Sequence, residues 1–390
     1  MAFTDFFDAP QFDYEALKTK FIDNMNFLKG LTNEELTLFK KWSECQTYAK
    51  HVDSSQIVHS KIWMPRDLTN KQKTIADIQI LKPRLKLVEG KEDATDWLML
   101  RIFGHTMAFD QNPGRFLRFL AVDDTSGKYL GCVSIASDVV SIGVRDKWIG
   151  WTQDVKLKKG RLRNTAIGTC IMATQPLGYN LLGGKLIASL LTTKPVREAW
   201  EKVYKDTLAG ITTTSLYGVH SMYQRIPFWK ELGETKGKIA IKPDDSVYDV
   251  WHHWLQDNKP DMYRKQTHKE GISGPITGIK QKILEMIFKE VGLKMSQYTH
   301  GFERGVFYSV LYENTLEYLR GEIEVKNLKP LPKIANDVES VMDWWRSKAL
   351  HRYEKLHTED RLKPGTLWYN SLIGLTWEQA KKKFLGEVGR

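Results

Sequence analysis

A glycine-rich segment at residues 175–185 has the composition of a loop that holds a phosphate group. It follows an apolar run at residues 165–173, which predicts a buried strand, and precedes the apolar residues 186–191, which predict a helix. At such a junction the backbone N–H groups and the helix dipole favour a pyrophosphate, and glycines let the backbone approach it closely. An ordinary turn with glycines for tight packing is the alternative. The candidate phosphate ligands are Gln175, Gly178, Asn180, Gly183, Gly184 and Lys185.

Basic and aromatic residues are combined in three further segments, a pattern typical of nucleic-acid binding, in which rings stack on bases and cations follow phosphates. The segments are residues 145–151, the basic run 156–163 and the surroundings of residue 304. The respective alternatives are a structural link with a buried tryptophan, a solvated charged face and a loop-to-helix corner. The basic run could also hold a cofactor phosphate, since it is predicted beside the loop. The candidate nucleic-acid contacts are Arg145, Lys147, Trp148, Trp151, Lys158, Arg161, Arg163 and Arg304.

The composition indicates a folded, basic protein and suggests an anionic partner; a merely soluble basic protein is the alternative. The 390 residues include 58 Lys and Arg against 47 Asp and Glu, a formal net charge of +11, and 13 tryptophans. This favours nucleic acid over a membrane surface, because no long basic amphipathic helix stands out. Since neither a signal peptide nor an apolar run of about 18 residues occurs, we expect no membrane association and a cytoplasmic location. Three widely separated cysteines and the lack of metal-binding spacings predict no disulfide framework and no metal.

The elements expected to position these residues form a mixed α/β sheet. Two apolar runs joined by a turn at residues 123–128 predict a hairpin, and residues 208–217 predict a later strand. A short helix is expected at 221–232, and loops with short strands at 51–92. We therefore divide the chain into an N-terminal helical arm (1–50), a mixed-sheet domain (51–242) and a C-terminal, mostly helical region (243–390). The sequence leaves the oligomeric state open.

The order of hairpin, strand, Gln-x-x-Gly loop, helix, strand and short helix resembles the GNAT-type acyltransferases. The resemblance implies a GNAT-like mixed sheet flanked by helices, with acetyl-CoA or a related acyl-CoA bound through its pyrophosphate to the 175–185 loop. It also implies that Tyr223 protonates the leaving thiolate, which suits a phenol with a pKa of about 10. A core or edge aromatic is the alternative for Tyr223. Asn180 stands where the GNAT loop usually has a second small residue.

Residues 115–240 resemble two narrower families, the Druantia anti-phage protein DruA with its relatives and the phage Mom proteins, which modify adenine in DNA. The resemblance is carried by Arg-Asp-Lys-Trp-Ile-Gly-Trp at 145–151, Met-Tyr-Gln at 222–224 and Trp-Lys-Glu-Leu-Gly-Glu-Thr-Lys-Gly at 229–237. These families usually carry an Asp about ten residues before the Tyr. This chain has Thr213, Thr214 and Ser215 there, and a hydroxyl cannot replace a carboxylate as a base at neutral pH.

Two functions follow as hypotheses. The first is a GNAT-like, acyl-CoA-dependent transferase that modifies a DNA base, is encoded by a phage and acts in the host cytoplasm. The alternative is a non-catalytic nucleic-acid-binding protein on a degenerate GNAT-like domain, as a DruA-like defence factor or a phage accessory factor. Asn180 and the missing Asp favour the alternative. Whether the chain is an enzyme stays open at this point.

Overall fold

The structure, a computed structural model, describes residues 13–49, 59–109, 114–215, 221–235, 238–267, 279–301, 303–333, 337–365 and 369–386. The chain divides into two compact units. The smaller unit combines residues 1–36 with 237–302, and the larger unit combines residues 37–236 with 303–390. The chain thus leaves the larger unit once, and returns to it after residue 302. Helices and strands are numbered below in chain order.

The smaller unit is mainly helical. Asp13 caps its first helix by accepting a hydrogen bond from the N–H of Glu15, and the buried Phe21 packs 5.3 Å from Phe288, centroid to centroid. A short antiparallel pair joins two strands of the same unit. Its elements are α1 (Tyr14–Gly30), β7 (Lys238–Ala240), α9 (Asp245–Asn258), α10 (Pro260–Thr267), α11 (Ile279–Glu290) and β8 (Thr299–Gly301).

The larger unit contains most of α2 and the remaining helices. None of the helices in the described part of the chain is both long enough and apolar enough to span a membrane. The helices are α2 (Asn33–Ala49), α3 (Lys71–Ile80), α4 (Gly90–Gly104), α5 (Gly143–Ile149), α6 (Leu177–Asn180), α7 (Gly183–Leu190), α8 (Lys194–Tyr204), α12 (Thr315–Leu319), α13 (Val338–Thr358) and α14 (Trp377–Leu385).

A seven-stranded sheet forms the centre of the larger unit. Its spatial order is β1-β2-β3-β4-β5-β9-β6, and every neighbouring pair is antiparallel except β4 with β5. The predicted hairpin is confirmed as β2 and β3. The strands are β1 (Pro83–Leu87), β2 (Phe116–Asp123), β3 (Tyr129–Ser137), β4 (Thr165–Ala173), β5 (Gly210–Ser215), β6 (Trp229–Thr235) and β9 (Arg304–Val310).

The two parallel strands pair over only part of their length. β4 and β5 are in register from Thr165 with Gly210 to Gly168 with Thr213, and no pair is formed beyond these residues. A bulge interrupts the pairing of β3 with β4 at the same place, between Ser134 and Ile135. A bulge bends its strand and increases the local twist. The carboxyl ends of β4 and β5 therefore separate just before the two segments selected from the sequence, the 175–185 loop after β4 and the segment with Tyr223 after β5.

Helices cover both faces of the sheet. On one face Phe119, Val133 and Ile211 belong to a core shared with α7, α8 and α13, including the buried Trp345. On the other face Leu120 and Cys132 pack with α4. The mixed α/β class with flanking helices is confirmed.

Two expectations about local structure were wrong. Residues 71–80 form α3 instead of a loop. Residues 221–232 are not a helix, because the turn at 221–225 is followed by Pro227 and the strand β6. The C-terminal region, predicted to be mostly helical, also contributes β9, which enters the middle of the sheet between β5 and β6. The compact units also differ from the three predicted segments, as residues 237–302 group with residues 1–36.

Candidate functional site

An open cleft lies beside the segment that joins β5 to β6 in the larger unit. Its volume is about 450 Å3, within the range of roughly 300–1,000 Å3 of ligand pockets. Three aromatic side chains line it: the Tyr223 ring lies 5.4 Å from Trp229 and 5.2 Å from Phe307, centroid to centroid. The other lining residues are Gln224, Arg225, Lys230 and Glu231. The cleft therefore combines an aromatic wall with two cations and a carboxylate.

Tyr223 is held as a buried, protonated phenol. Its side chain is 6% exposed. Burial raises the pKa of Tyr223 well above its usual range, and a hydrogen bond with the Thr213 side chain offsets only part of that rise. At neutral pH the phenol keeps its proton, so it can donate a hydrogen bond or a proton but cannot act as a base. This protonation state agrees with the role predicted for Tyr223, although it is equally that of a core tyrosine.

The backbone beside Tyr223 is strained. Arg225 has a φ of 58° and Phe228 a φ of 66°, a left-handed region that costs residues other than glycine about 1–3 kcal/mol each. Such conformations cluster at ligand sites. The turn places the exposed Arg225 at the cleft, and the Lys230 ammonium lies 5.1 Å from the ring centroid of Trp148. Neither cation forms an ion pair within the described part of the chain.

The predicted phosphate loop uses most of its backbone donors internally. The N–H of Gly178 donates to the carbonyl of Thr174 at 2.8 Å, and the N–H of Asn180 donates to the carbonyl of Pro176 at 3.2 Å. The side chain of Gln175 accepts a hydrogen bond from the N–H of Tyr179 at 2.9 Å. These bonds form the short helix α6, so the amides do not face outward as a cradle for a diphosphate would require.

The first turn of α7 is covered by side chains. A methyl group at Gly183 would lie 2.7 Å from Leu177, and one at Gly184 would lie 2.7 Å from the sulfur of Met222. The ammonium of Lys185 donates to the carbonyls of Met222, at 3.0 Å, and Gln224. Lys185 thus ties the turn that carries Tyr223 to α7, which does bring the loop and Tyr223 together.

Trp345 of α13 completes this cover. Its indole N–H donates to the carbonyls of Leu181 and Leu182, at 3.0 and 3.2 Å. With the amides of Gly178, Tyr179 and Asn180 bonded internally, the first-turn glycines packed and Lys185 bonded to carbonyls, the loop offers few of the donors that the pyrophosphate of an acyl-CoA requires. Tight packing, the alternative for these glycines, agrees with the structure.

Arg145 lies in the core and not on a groove. It is fully buried, and its guanidinium donates to Asp138 and to Asp146, each at 2.6 Å. The buried Lys156 binds the other oxygen of Asp146 at 2.7 Å. The hydroxyl of Thr212 in β5 donates to Asp138 at 2.8 Å. Buried charges in proteins are normally paired, and Arg145 is paired with two carboxylates. The prediction that Arg145 contacts nucleic acid is therefore incompatible with its burial.

The other residues of the same motif lie around this cluster. Lys147 is exposed and Trp148 is half-buried, with its ring 5.3 Å from that of Tyr308. The Trp151 indole donates to the carbonyl of Leu319 at 2.7 Å, and its ring lies 5.3 Å from the Arg145 guanidinium. The tryptophans thus have structural partners, and Lys147 alone of the four projects freely.

The four remaining residues predicted to contact nucleic acid differ in how many partners they already have within the protein. Lys158 is exposed and 3.4 Å from Asp154, whereas Arg163 donates to Asp206 at 2.8 Å. The Arg161 guanidinium lies 4.4 Å from the ring centroid of Tyr318. Arg304 begins β9, burial lowers its pKa, and its Nε is buried with no acceptor among the described residues. Each of these four side chains thus has a different local environment.

Sequence reasoning missed most of the cleft. Phe307, Lys230 and Glu231 were not selected, although residues 229–231 stood inside a quoted motif. Phe307 reaches the site because β9 pairs with both β5 and β6, and Glu231 lies opposite Phe307 in that register. Recognition of a strand in the aromatic and β-branched run at 304–310 would have provided the signal.

The positive charge belongs to the larger unit. Residues 1–36 and 237–302 contain 13 Lys and Arg against 15 Asp and Glu, which leaves 45 against 32 for the rest of the chain. Both the sheet and the cleft lie in this basic unit. An excess of positive charge on one folded unit attracts polyanions.

Two comparisons place the chain among known proteins. The family model described as "Druantia protein DruA" matches residues 40–321, a range that includes the cleft. The Druantia protein DruA of Escherichia coli (strain UMEA 4076-1) is 30% identical over 298 residues, which cover 68% of each of the two chains. No solved structure matches the chain. The resemblance to DruA is confirmed, and the chain belongs to the DruA family.

Proposed function

We propose that this chain is a nucleic-acid-binding member of the DruA family that holds DNA at the cleft around Tyr223. The observation that carries the proposal is the cleft itself, in which the exposed cations Arg225 and Lys230 lie beside three aromatic side chains that are each less than a tenth exposed. The two cations suit the phosphates of a nucleic acid, and the exposed edges of the rings offer a base an apolar contact. A base taken from a duplex would first be flipped out, at a cost of about a few kcal/mol.

We further propose that the domain is GNAT-like but has lost its cofactor loop. The strand order, the single parallel pair and the separation of β4 from β5 support this ancestry, while the covered first turn of α7 argues against acyl-CoA binding there. The relation to Mom proteins stays a prediction. Like the relative whose name places it in Druantia, the chain would serve in such a system, in the cytoplasm, where its three buried thiols stay reduced.

A binding assay with matched variants tests this function. The fluorescence anisotropy of labelled single-stranded and duplex DNA is measured with the wild type and with the double variant Arg225→Gln and Lys230→Gln. The exposed Lys289 in the smaller unit provides the control Lys289→Gln. We expect the double variant to lose affinity at least tenfold, since each phosphate contact is a charge-assisted bond, and the control to bind like the wild type. Equal binding by all three proteins would refute the assignment of the cleft.

A transferase that modifies a DNA base is the second candidate, and one observation favours it. The protonated Tyr223 and the carboxylate of Glu231 line the same cleft, so an acid and a potential base lie within one site. Mass spectrometry of nucleosides from cells that express the chain, together with calorimetry with acetyl-CoA, separates the candidates. A modified base would establish the transferase. Unmodified nucleosides and no heat with acetyl-CoA are the results expected for the binding protein.

A further inference from the structure

Several cations surround one phenol ring of the 175–185 loop. The Arg352 guanidinium lies 5.2 Å and the Lys363 ammonium 4.8 Å from the ring centroid of Tyr179. Glu359 and the Tyr179 hydroxyl both raise the pKa of Arg361, which places Arg361 near the same ring. α13 carries Arg352, and the other two cations follow that helix in the sequence. We call Tyr179, Arg352, Arg361 and Lys363 the cationic corner.

The charge of the cationic corner is not balanced by the acids around it. Glu359 pairs with Arg361 at 2.7 Å and also lies 3.8 Å from Lys355. Arg352 and Lys363 form no ion pair with a described residue, and the Nε of Arg352 is buried with no acceptor there. A buried charged donor without an acceptor is costly, and a cation–π contact returns only about 0.5–1 kcal/mol at an exposed site. An anion at the surface would balance the charge of Arg352 and Lys363.

A buried amide fixes the geometry of the cationic corner. Asn180 is fully buried; its Nδ2 donates to the carbonyl of Lys363 at 2.7 Å, and its Oδ1 accepts from the N–H of Lys363 at 2.9 Å. The same Nδ2 donates to the carbonyl of Pro176 at 2.9 Å. These bonds hold Lys363 against the loop that carries Tyr179. A site fixed in this way loses less entropy when it binds a ligand.

We propose that the cationic corner binds a phosphate group, supplied by a phosphodiester of the nucleic acid held at the cleft. The occupant's identity rests on the proposed function, whereas the phosphate chemistry rests on the cationic corner alone. The terminal nitrogens of Arg352 can donate to phosphate oxygens and the ammonium of Lys363 adds a point charge, while Arg361 is partly engaged by Glu359. Exposed Lys363 and Arg361 leave the site open to a polymer. The phosphates of a free nucleotide share this chemistry, so the experiment separates the two sources.

The test compares the variants Arg352→Gln and Lys363→Gln with the control Lys348→Gln. Lys348 is exposed on α13, the helix that carries Arg352, and its substitution removes the same charge. The exposed side chain of Lys363 can be replaced without loss of the Asn180 bonds, which use its backbone, so this variant is expected to fold even if Arg352→Gln does not. The affinity for labelled duplex DNA is measured across a salt series. Loss of one phosphate contact should reduce the slope of log K against log salt by about 0.9, and calorimetry with inorganic pyrophosphate is run in parallel.

The outcomes separate this inference from the proposed function. A smaller salt slope in the variants, with the control unchanged, supports the phosphodiester. Equal slopes in all proteins overturn the inference and leave DNA binding intact. If the wild type binds no DNA, the proposed function fails and calorimetry decides about the site. Pyrophosphate binding by the wild type that is lost in the variants supports a phosphate site for a free nucleotide. No binding by the wild type, or binding that persists in the variants, overturns the site.

Discussion

Replacing Arg145 by Met should destabilise the larger unit by about 3–5 kcal/mol, the usual effect of leaving a buried charge without its partner. Asp138 and Arg145 are both buried, and the guanidinium donates to Asp138 at 2.6 Å. It also donates to the carbonyl of Val139 at 2.8 Å. Lys156 still neutralises Asp146 in the variant, at 2.7 Å. The uncompensated charge is therefore that of Asp138, for which only the Thr212 hydroxyl and other neutral donors remain.

The effect should depend on pH with a definite sign. Burial raises the pKa of Asp138, and Arg145 opposes that rise, so the variant raises it further. When the pKa of a carboxyl is higher in the folded state than its unfolded value of about 3.9, the free energy of unfolding falls as the pH rises from 3.9 through the folded pKa. The deficit of the variant should thus be small near the unfolded pKa, where Asp138 takes up a proton, and complete at neutral pH.

Urea unfolding followed by tryptophan fluorescence, at neutral and at acidic pH, measures the loss in free energy of unfolding and its dependence on pH. Arg145→Lys keeps the charge without the forked geometry and should lose less stability than Arg145→Met. Lys147→Met, at an exposed neighbour, should change the free energy of unfolding by less than about 0.5 kcal/mol. A loss below about 1 kcal/mol for Arg145→Met, or a loss that does not depend on pH, would refute the account of this cluster.

Three further substitutions test the packing around the site. Tyr308→Phe should change the free energy of unfolding by less than about 1 kcal/mol, because its buried hydroxyl has no hydrogen-bond partner among the described residues; a larger loss in chemical denaturation would reveal a partner. Gly210→Ala should cost about 1–3 kcal/mol or more, because its Cβ would lie 1.9 Å from the hydroxyl oxygen and 2.4 Å from a ring carbon of Tyr308, and Tyr308→Phe in the same chain should restore little of the loss since the ring carbons stay in place. Lys185→Met should cost about 1–3 kcal/mol, because it leaves two carbonyl acceptors without their donor, whereas Lys194→Met on the surface should leave the thermal midpoint unchanged.

Local signals were sufficient for the first half of the sheet. The hairpin of β2 and β3 and the strand β4 follow from apolar runs and a turn, all close together in the sequence. β6 was misread because a bulge at Gly233, with a φ of 113°, breaks its alternation of side chains. β9 was missed because its partners lie some 70 to 100 residues earlier, and no local pattern encodes so distant a pairing.

The site was only partly predictable for the same reason. Sequence analysis selected Tyr223 and the 175–185 loop, and the structure joins them through Lys185. It did not foresee that Trp345, more than 160 residues later, would cover that loop. Nor could the type and position of Arg145 reveal its burial, since an arginine within a basic, aromatic segment has the same sequence pattern at a core position as on a surface.

Photo-crosslinking tests the central claim most directly. DNA that carries a photoreactive base is irradiated with the full chain, and the crosslinked peptides are identified by mass spectrometry. If the cleft holds nucleic acid, the adducts will lie on the peptide that contains Tyr223 to Glu231, and Arg225→Gln with Lys230→Gln will reduce their yield. Adducts confined to residues 238–301, or a yield unaffected by these substitutions, would contradict the claim.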